Sequence, residues 1–294
     1  MASQPTLTVG DVPSPTGIEE PPAKRASTGR GRVICSELPL WPHVCACPIR
    51  HIRSLCRRPV TRTDAGLAAH LREQIRGAVE QQRANLADPA GNAWLPFPSV
   101  NRGIPSRFSR QERSFFFVGR PQLEVVLSQI KDRQDAHHHL QWLGTIGYGK
   151  SHLLAAAACC LLAEGRNVVY IPDCADLVDS TVAYHVLQDA LLLAFTGEDT
   201  HIAAIEQCST LDALVQWCAN ALPVSKESQL VFLLDQAHAI VGDKRPSWLA
   251  GLLDNRCAVK AVSLRDPGIL GTLSKQQSET DVMFFGGLSE VWWC

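Results

Sequence analysis

Apolar and polar residues recur along this chain with two different periods. Between residues 64 and 86, Leu67, Leu71, Ile75, Val79 and Leu86 return at helical spacing with Arg and Glu between them, which predicts one amphipathic helix. From about residue 115 the pattern changes. Short stretches rich in apolar residues at 138–143, 167–171, 230–234, 257–264 and 282–285 predict strands. Helical stretches near 122–130, 151–163, 183–195 and 203–222 fall between them. Buried strands alternating with helices predict an α/β fold: a mainly parallel sheet with helices on both faces. Residues 1–33, rich in Pro, Ser, Thr and Gly, have the composition of a disordered arm. The segment up to residue 63 has no clear period, and 89–105 is a Pro/Gly-rich connector carrying Trp94 and Phe97. The expected division is therefore an arm over 1–63, a helix and connector over 64–110, and the sheet domain over 111–294. Residues 1–110 are expected to be dispensable for ligand binding unless the apolar stripe of the helix is buried against the sheet domain.

Composition adds charge asymmetry to this picture. Residues 1–110 carry 15 Lys and Arg against 8 Asp and Glu, a net +7, while the remainder carries 13 against 21, a net −8. A basic arm on an acidic domain suggests an anionic partner, protein or nucleic acid, or a nuclear address. Pro22-Ala23-Lys24-Arg25 with Arg30 and Arg32 is a thin candidate for the latter. Eleven cysteines without a secretory leader predict reduced thiols in an intracellular compartment. The longest apolar run, 153–163, is too short to span a bilayer, so no membrane partner is expected. Cys35, Cys45, Cys47, His51 and Cys56 cluster, but the Cys45–Cys47 spacing is tighter than a zinc pair and no second pair follows.

The candidate chemistry lies between two of the predicted elements. Gly144-Thr145-Ile146-Gly147-Tyr148-Gly149-Lys150-Ser151 fits the G-x-x-x-x-G-K-[ST] phosphate-binding loop at every fixed position, with a strand before it and a helix from His152 onward. The glycines let the backbone curl so that successive N–H groups face one anion. Lys150 supplies a charge for the β- and γ-phosphates, and the Ser151 hydroxyl is a ligand for Mg²⁺. The helix turns its positive end to the same point. Such a loop needs an acidic partner at the end of another strand. The run Leu230–Leu234 ends in Asp235, a second Mg²⁺ candidate opposite Ser151. Gln236 follows where many ATPases of this kind carry Glu. A neutral amide orients water but is a poor base, so hydrolysis is expected to be slow. His238, further along, is more simply a solvated or capping residue.

Three stretches resemble a known group of proteins. They are Gly144–Leu154 continuing to Val168-Val169-Tyr170-Ile171-Pro172-Asp173-Cys174; Val231-Phe232-Leu233-Leu234-Asp235-Gln236; and Phe284-Phe285-Gly286-Gly287-Leu288-Ser289-Glu290-Val291-Trp292-Trp293. Over about residues 113–293 the chain is similar to the P-loop NTPase domain of the Crinkler and retrotransposon-hot-spot (RHS) type, in the additional-strand division with the AAA+ and STAND ATPases. The resemblance implies binding of ATP with Mg²⁺. It also implies that Phe116-Phe117-Val118-Gly119-Arg120 lies against the base, with Val118 and Gly119 as base contacts. The departures are the lack of a Leu-Phe-Leu-Ala-Lys-type motif near Met1 and an end at Cys294, one residue after the Trp pair. The latter leads to the expectation of a domain cut before the helical lid. Arg265 is the nearest candidate for a sensor residue.

Overall fold

Five short parallel strands form the centre of the protein. In a computed structural model, which describes residues 62–132, 139–144, 147–221, 230–240, 245–253, 256–263 and 280–285, β4 (His139–Gly144), β5 (Val168–Ile171), β6 (Val231–Leu234), β7 (Cys257–Ser263) and β8 (Thr280–Phe285) make a parallel sheet in the order β5-β6-β7-β4-β8. Every residue of β5 and β6 is buried, as strands covered on both faces require. The register is set residue by residue: Leu140 lies opposite Val259, Val169 opposite Phe232 and Leu233 opposite Val259. β7 stands between β4 and β6. It comes from the later part of the chain, after β6.

Connections explain the layers. The crossover from β4 to β5 runs along the sheet in one direction, whereas those from β5 to β6, β6 to β7 and β7 to β8 run in the other. Right-handed crossovers then send α3 (Lys150–Ala163) to one face, and send α4 (Ser180–Ala194), α5 (Asp199–Gln207), α6 (Leu211–Ala221) and α7 (Ser247–Leu253) to the other. The helix expected over 203–222 is thus two helices. Their break is at Cys208-Ser209-Thr210, where the Thr210 hydroxyl accepts the Ala213 N–H at 3.2 Å, an N-cap that starts a new helix. α4 opens the same way, with the Asp179 carboxylate accepting from Thr181 and Val182.

α3 is buried on every side from Leu153 to Leu162. A helix with no polar face needs cover beyond the sheet, and three elements supply it. α1 (Arg62–Ala87) lies on α3, burying Ala68, Leu71, Ile75, Val79 and Leu86; Leu67, expected in that stripe, is 40% exposed. α2 (Gln122–Asp132) packs beside it through Leu123, Val126 and Ile130. A small antiparallel sheet, β1 (Asn92–Pro96), β3 (Ser114–Val118) and β2 (Arg110–Gln111), in the order β1-β3-β2, closes the remaining side. Phe115 and Phe117 face its interior. Buried Arg72 on α1 donates to the Leu193 and Ala194 carbonyls at the end of α4, and to the Arg166 carbonyl. A cation there meets the negative end of the helix.

The expected division at residue 111 therefore coincides with no break in packing. α1 and the connector share one core with the sheet, in a unit that runs from Ser54 to Cys294, because α3 leaves an apolar surface only they cover. The arm over 1–33 and the Cys35–Cys56 cluster lie outside the described residues. Cys159, Cys160, Cys174, Cys208 and Cys218 are free thiols. No helix there is long and apolar enough to cross a membrane.

Removing one buried side chain from α1 should be felt globally. Ile75, 0% exposed, is expected to cost about 2–5 kcal/mol as Ile75→Ala, while Leu67→Ala on the same helix should stay within about 0.5 kcal/mol. Denaturant titration of both variants measures the difference, and similar midpoints would show that α1 is not part of the core.

Candidate functional site

The candidate residues converge at the carboxyl ends of β4 and β6, where open α/β sheets place their ligand crevices. Gly144 is the last residue of β4. Thr145 and Ile146 lie outside the described residues. Gly147 and Gly149 follow with φ of 91° and 72°, left-handed backbone that only glycine adopts freely. Gly149 caps α3 without any side-chain hydrogen bond. A Cβ on Gly149 would also run into the Arg120 guanidinium, whose Nη1 donates to the Tyr148 carbonyl at 2.7 Å. Arg120 thereby clasps the loop from the neighbouring β3–α2 turn.

Lys150 and Ser151 open α3 and diverge. The Lys150 ammonium is buried and donates to the Gly144 carbonyl at 2.9 Å. Burial lowers its pKa, against a raising pull from Asp235. Ser151 Oγ donates to Asp235 Oδ1 at 3.0 Å and accepts from Gln236 Nε2 at 3.3 Å. Asp235 itself is only 1% exposed at the end of β6. Its backbone N–H bonds the Ile171 carbonyl at 2.9 Å, and its carbonyl takes the Cys174 N–H, so the ends of β5 and β6 hold it rigidly. Gln236 has φ of 54°, a strained setting for a residue with a side chain. In that setting its N–H reaches Asp235 Oδ1 at 2.8 Å.

The second oxygen of Asp235 is taken by a residue that sequence reasoning missed. Arg107 Nη2 lies 3.0 Å from Oδ2 and also donates to the Pro172 carbonyl. Burial pushes the Asp235 carboxyl above the usual range; the Arg107 charge and the hydrogen bonds from Ser151 and Gln236 oppose it. Arg107 belongs to the connector between β1 and β2, and composition there carried no sign of a functional role. Its placement follows from Phe97 and Phe108. These rings pack edge-to-face on each other and on Phe115, and Phe97 also on Tyr170, pinning the connector over β5. The aromatic pattern of Phe97, Phe108 and Phe115 was the one available signal.

A cavity of about 370 Å³ opens here, lined by Arg107, Ser109, Phe116, Val118, Arg120 and Lys150, with the glycines, Ser151, His152 and Gln236. Val118 is half-exposed on its wall. Gly119 does not line it: the residue sits against the carbonyls of Asn85 and Asp88 at the end of α1, and its need is close packing. His152 stacks on Phe108, with ring centroids 4.5 Å apart. His238 lies in the short 3₁₀ turn Ala237–Ile240 and is not among the lining residues. Arg265 and the Gly286–Trp293 stretch lie outside the described residues.

The strand order and the loop-to-strand-end geometry together define the architecture. This is a P-loop α/β fold with an additional strand between β4 and β6. Solved structures similar to the chain include Drosophila ORC bound to DNA (16% identity, TM-score 0.40, over 56% of this chain and 42% of that one). Others are the Aeropyrum pernix ORC2 protein in ADPNP–ADP complexes (16%, 0.36, 63% and 50%) and C. elegans PCH-2 (10%, 0.31, 56% and 42%). The chain thus matches half or less of the length of these structures. No protein-family model matches it, and no curated protein does. What the site can do rests on its own chemistry. Lys150 and α3 offer positive charge to an anion. Ser151 and Asp235 offer two hard oxygens, the donor set that suits Mg²⁺. Among the described residues no cluster of three or more His, Cys, Asp or Glu forms any other metal site.

His152 gives the site a pH signature. Burial, with Arg120 and Arg107 nearby, lowers its pKa to about 4, against about 6.5 in an unfolded chain. Between those values the unfolded state binds the extra proton, so this contribution is fully present above about pH 6.5 and is lost as pH falls toward 4. Melting temperatures across that window should fall more steeply for the wild type than for His152→Gln; parallel curves would show that His152 titrates normally.

Proposed function

We propose that this protein binds ATP with Mg²⁺ in the cavity between the Gly147–Ser151 turn and β3, and hydrolyses it slowly. The observation that carries this reading is the 3.0 Å bond from Ser151 to Asp235. It joins the first turn of the loop helix to a buried carboxylate on another strand, the two oxygens a nucleotide-bound cation needs to find together. Mg²⁺ supplies neutralisation of charge developing on the phosphates. The protein's own residues do the rest. Lys150, now turned back on the Gly144 carbonyl, is in reach of the loop's concave side. The loop amides and the α3 amino terminus receive phosphate oxygens, in a loop that includes Thr145, Ile146 and Tyr148. Val118, with Phe116 beside it, offers an apolar wall for the base.

Slow turnover follows from Gln236. Its amide bonds Ser151 rather than a water-activating partner and has no accessible basic form. The same observation favours a second reading, a nucleotide-gated interaction module without turnover. In either reading the basic residues 1–63 supply a surface for an acidic protein or nucleic acid. Membership of the Crinkler and RHS type remains a proposal carried by the three sequence stretches above.

Two measurements test the assignment. Mg·ATP is expected to raise the melting temperature, and Lys150→Ala to weaken binding by about 1.5–3 kcal/mol, one to two decades; equal binding by both proteins would sink the phosphate role. Phosphate release, where detectable, should fall further for Asp235→Ala than for Gln236→Ala, since a charge that holds a cation outweighs a dipole that orients water. The opposite ranking would reverse the two roles.

A further inference from the structure

We propose that Arg107 is a positioning residue that stands in for the divalent cation at Asp235, and so sets how strongly nucleotide binding depends on Mg²⁺; this rests on the nucleotide reading above. Asp235 is almost fully buried, and both its oxygens are engaged. Oδ1 takes Ser151 and the Gln236 N–H, and Oδ2 takes Arg107 at 3.0 Å. A cation approaching Ser151 therefore meets a carboxylate already paired with a fixed positive charge. The guanidinium lines the same cavity as Lys150 and Ser151. Its hold is partial. Nη2 donates both to Asp235 and to the Pro172 carbonyl, while the buried Nε–H has no hydrogen-bond partner among the described residues. A buried donor left unfilled favours release once a competing cation arrives.

The consequences have opposite signs with and without metal. Without Mg²⁺, Arg107 neutralises Asp235 and spares bound phosphates the repulsion of a buried carboxylate. With Mg²⁺, the metal has to displace Arg107 from Oδ2 or share the carboxylate with it. Loss of the guanidinium should thus weaken metal-free binding and strengthen the gain from metal. An arginine that only braced the connector would change both affinities alike.

The test is ATP binding to the full chain by calorimetry, in EDTA and in excess Mg²⁺, for wild type, Arg107→Gln and Arg107→Lys. The ratio of the two dissociation constants is expected to rise roughly tenfold in Arg107→Gln, the lower end of the effect of a charge-assisted contact. Arg107→Lys, which keeps a positive charge on a shorter and more flexible side chain, should fall between. An unchanged ratio with ATP still bound overturns the proposal and leaves the nucleotide reading intact. Wild type that binds ATP in neither condition overturns both. Should Arg107→Gln fail to fold, the lysine variant decides: a ratio above wild type supports the proposal, and an equal ratio refutes it.

Discussion

A helix without a polar face cannot form the outer layer of a protein, and α3 is such a helix. Its apolar run from Leu153 to Leu162 is buried against the sheet on one side, which leaves the other sides to be covered by something else. That requirement recruits α1, α2 and the β1-β3-β2 sheet. Burying a large aliphatic side chain contributes about 1.5–3 kcal/mol, so the stripe on α1 is a substantial fraction of a typical domain's net stability. The site inherits the arrangement. The connector that links β1 to β2 has to pass over β5, and it carries Phe108 and Arg107 onto the loop and the end of β6. A packing demand made by the helix after the phosphate loop thus determines which cation meets Asp235.

Asp235 shows the same coupling in electrostatic form. A lone carboxylate this deep is costly, and removing one partner of a buried pair typically costs about 3–5 kcal/mol. Ser151, the Gln236 amide and Arg107 together make its burial tolerable. Each comes from a different element, so the carboxylate ties α3, the connector and the turn after β6 into one assembly. The left-handed backbone at Gln236 belongs to this assembly: it turns the peptide N–H back onto Oδ1, and strain held by surrounding contacts is characteristic of functional sites.

Much of the fold was legible because its signals are local. Continuous apolar runs announced β5 and β6, mainly apolar stretches β4 and β7, and the spacing of glycines, Lys150 and Ser151 the loop. Asp235 was found by the run that leads into it. The misreadings share a cause, which is that tertiary neighbours are invisible in a single stretch. Residues 89–105 look like a linker because Pro and Gly punctuate them, yet Trp94-Leu95-Pro96 pairs with Phe116-Phe115-Ser114 in register. Gly119 looked like a base contact; its lack of a side chain answers instead to the backbone of Asn85 and Asp88. The break between α5 and α6 turned on one capping hydroxyl. Arg107 had no local signature, since an arginine in a connector is ordinarily solvated.

The resting pairing of Arg107 with Asp235 bears on how such a fold avoids a penalty while empty. On the nucleotide reading proposed above, the site holds a buried carboxylate and a buried ammonium whose ligand comes and goes. Lys150 answers by folding onto the Gly144 carbonyl, and Asp235 by pairing with a guanidinium. Both substitutes are intramolecular, so they are available at high effective concentration, and both can be displaced by a ligand of higher charge. The strength of the substitute therefore enters the affinity of the ligand directly, because a ligand is bound only by its surplus over the contacts it replaces. A tighter substitute stabilises the empty fold and weakens the site; a looser one does the reverse. In this chain the balance falls on a guanidinium that reaches Asp235 through one nitrogen, with its Nε–H unsatisfied among the described residues, a hold that offsets the burial of the carboxylate yet is weaker than a bidentate pair.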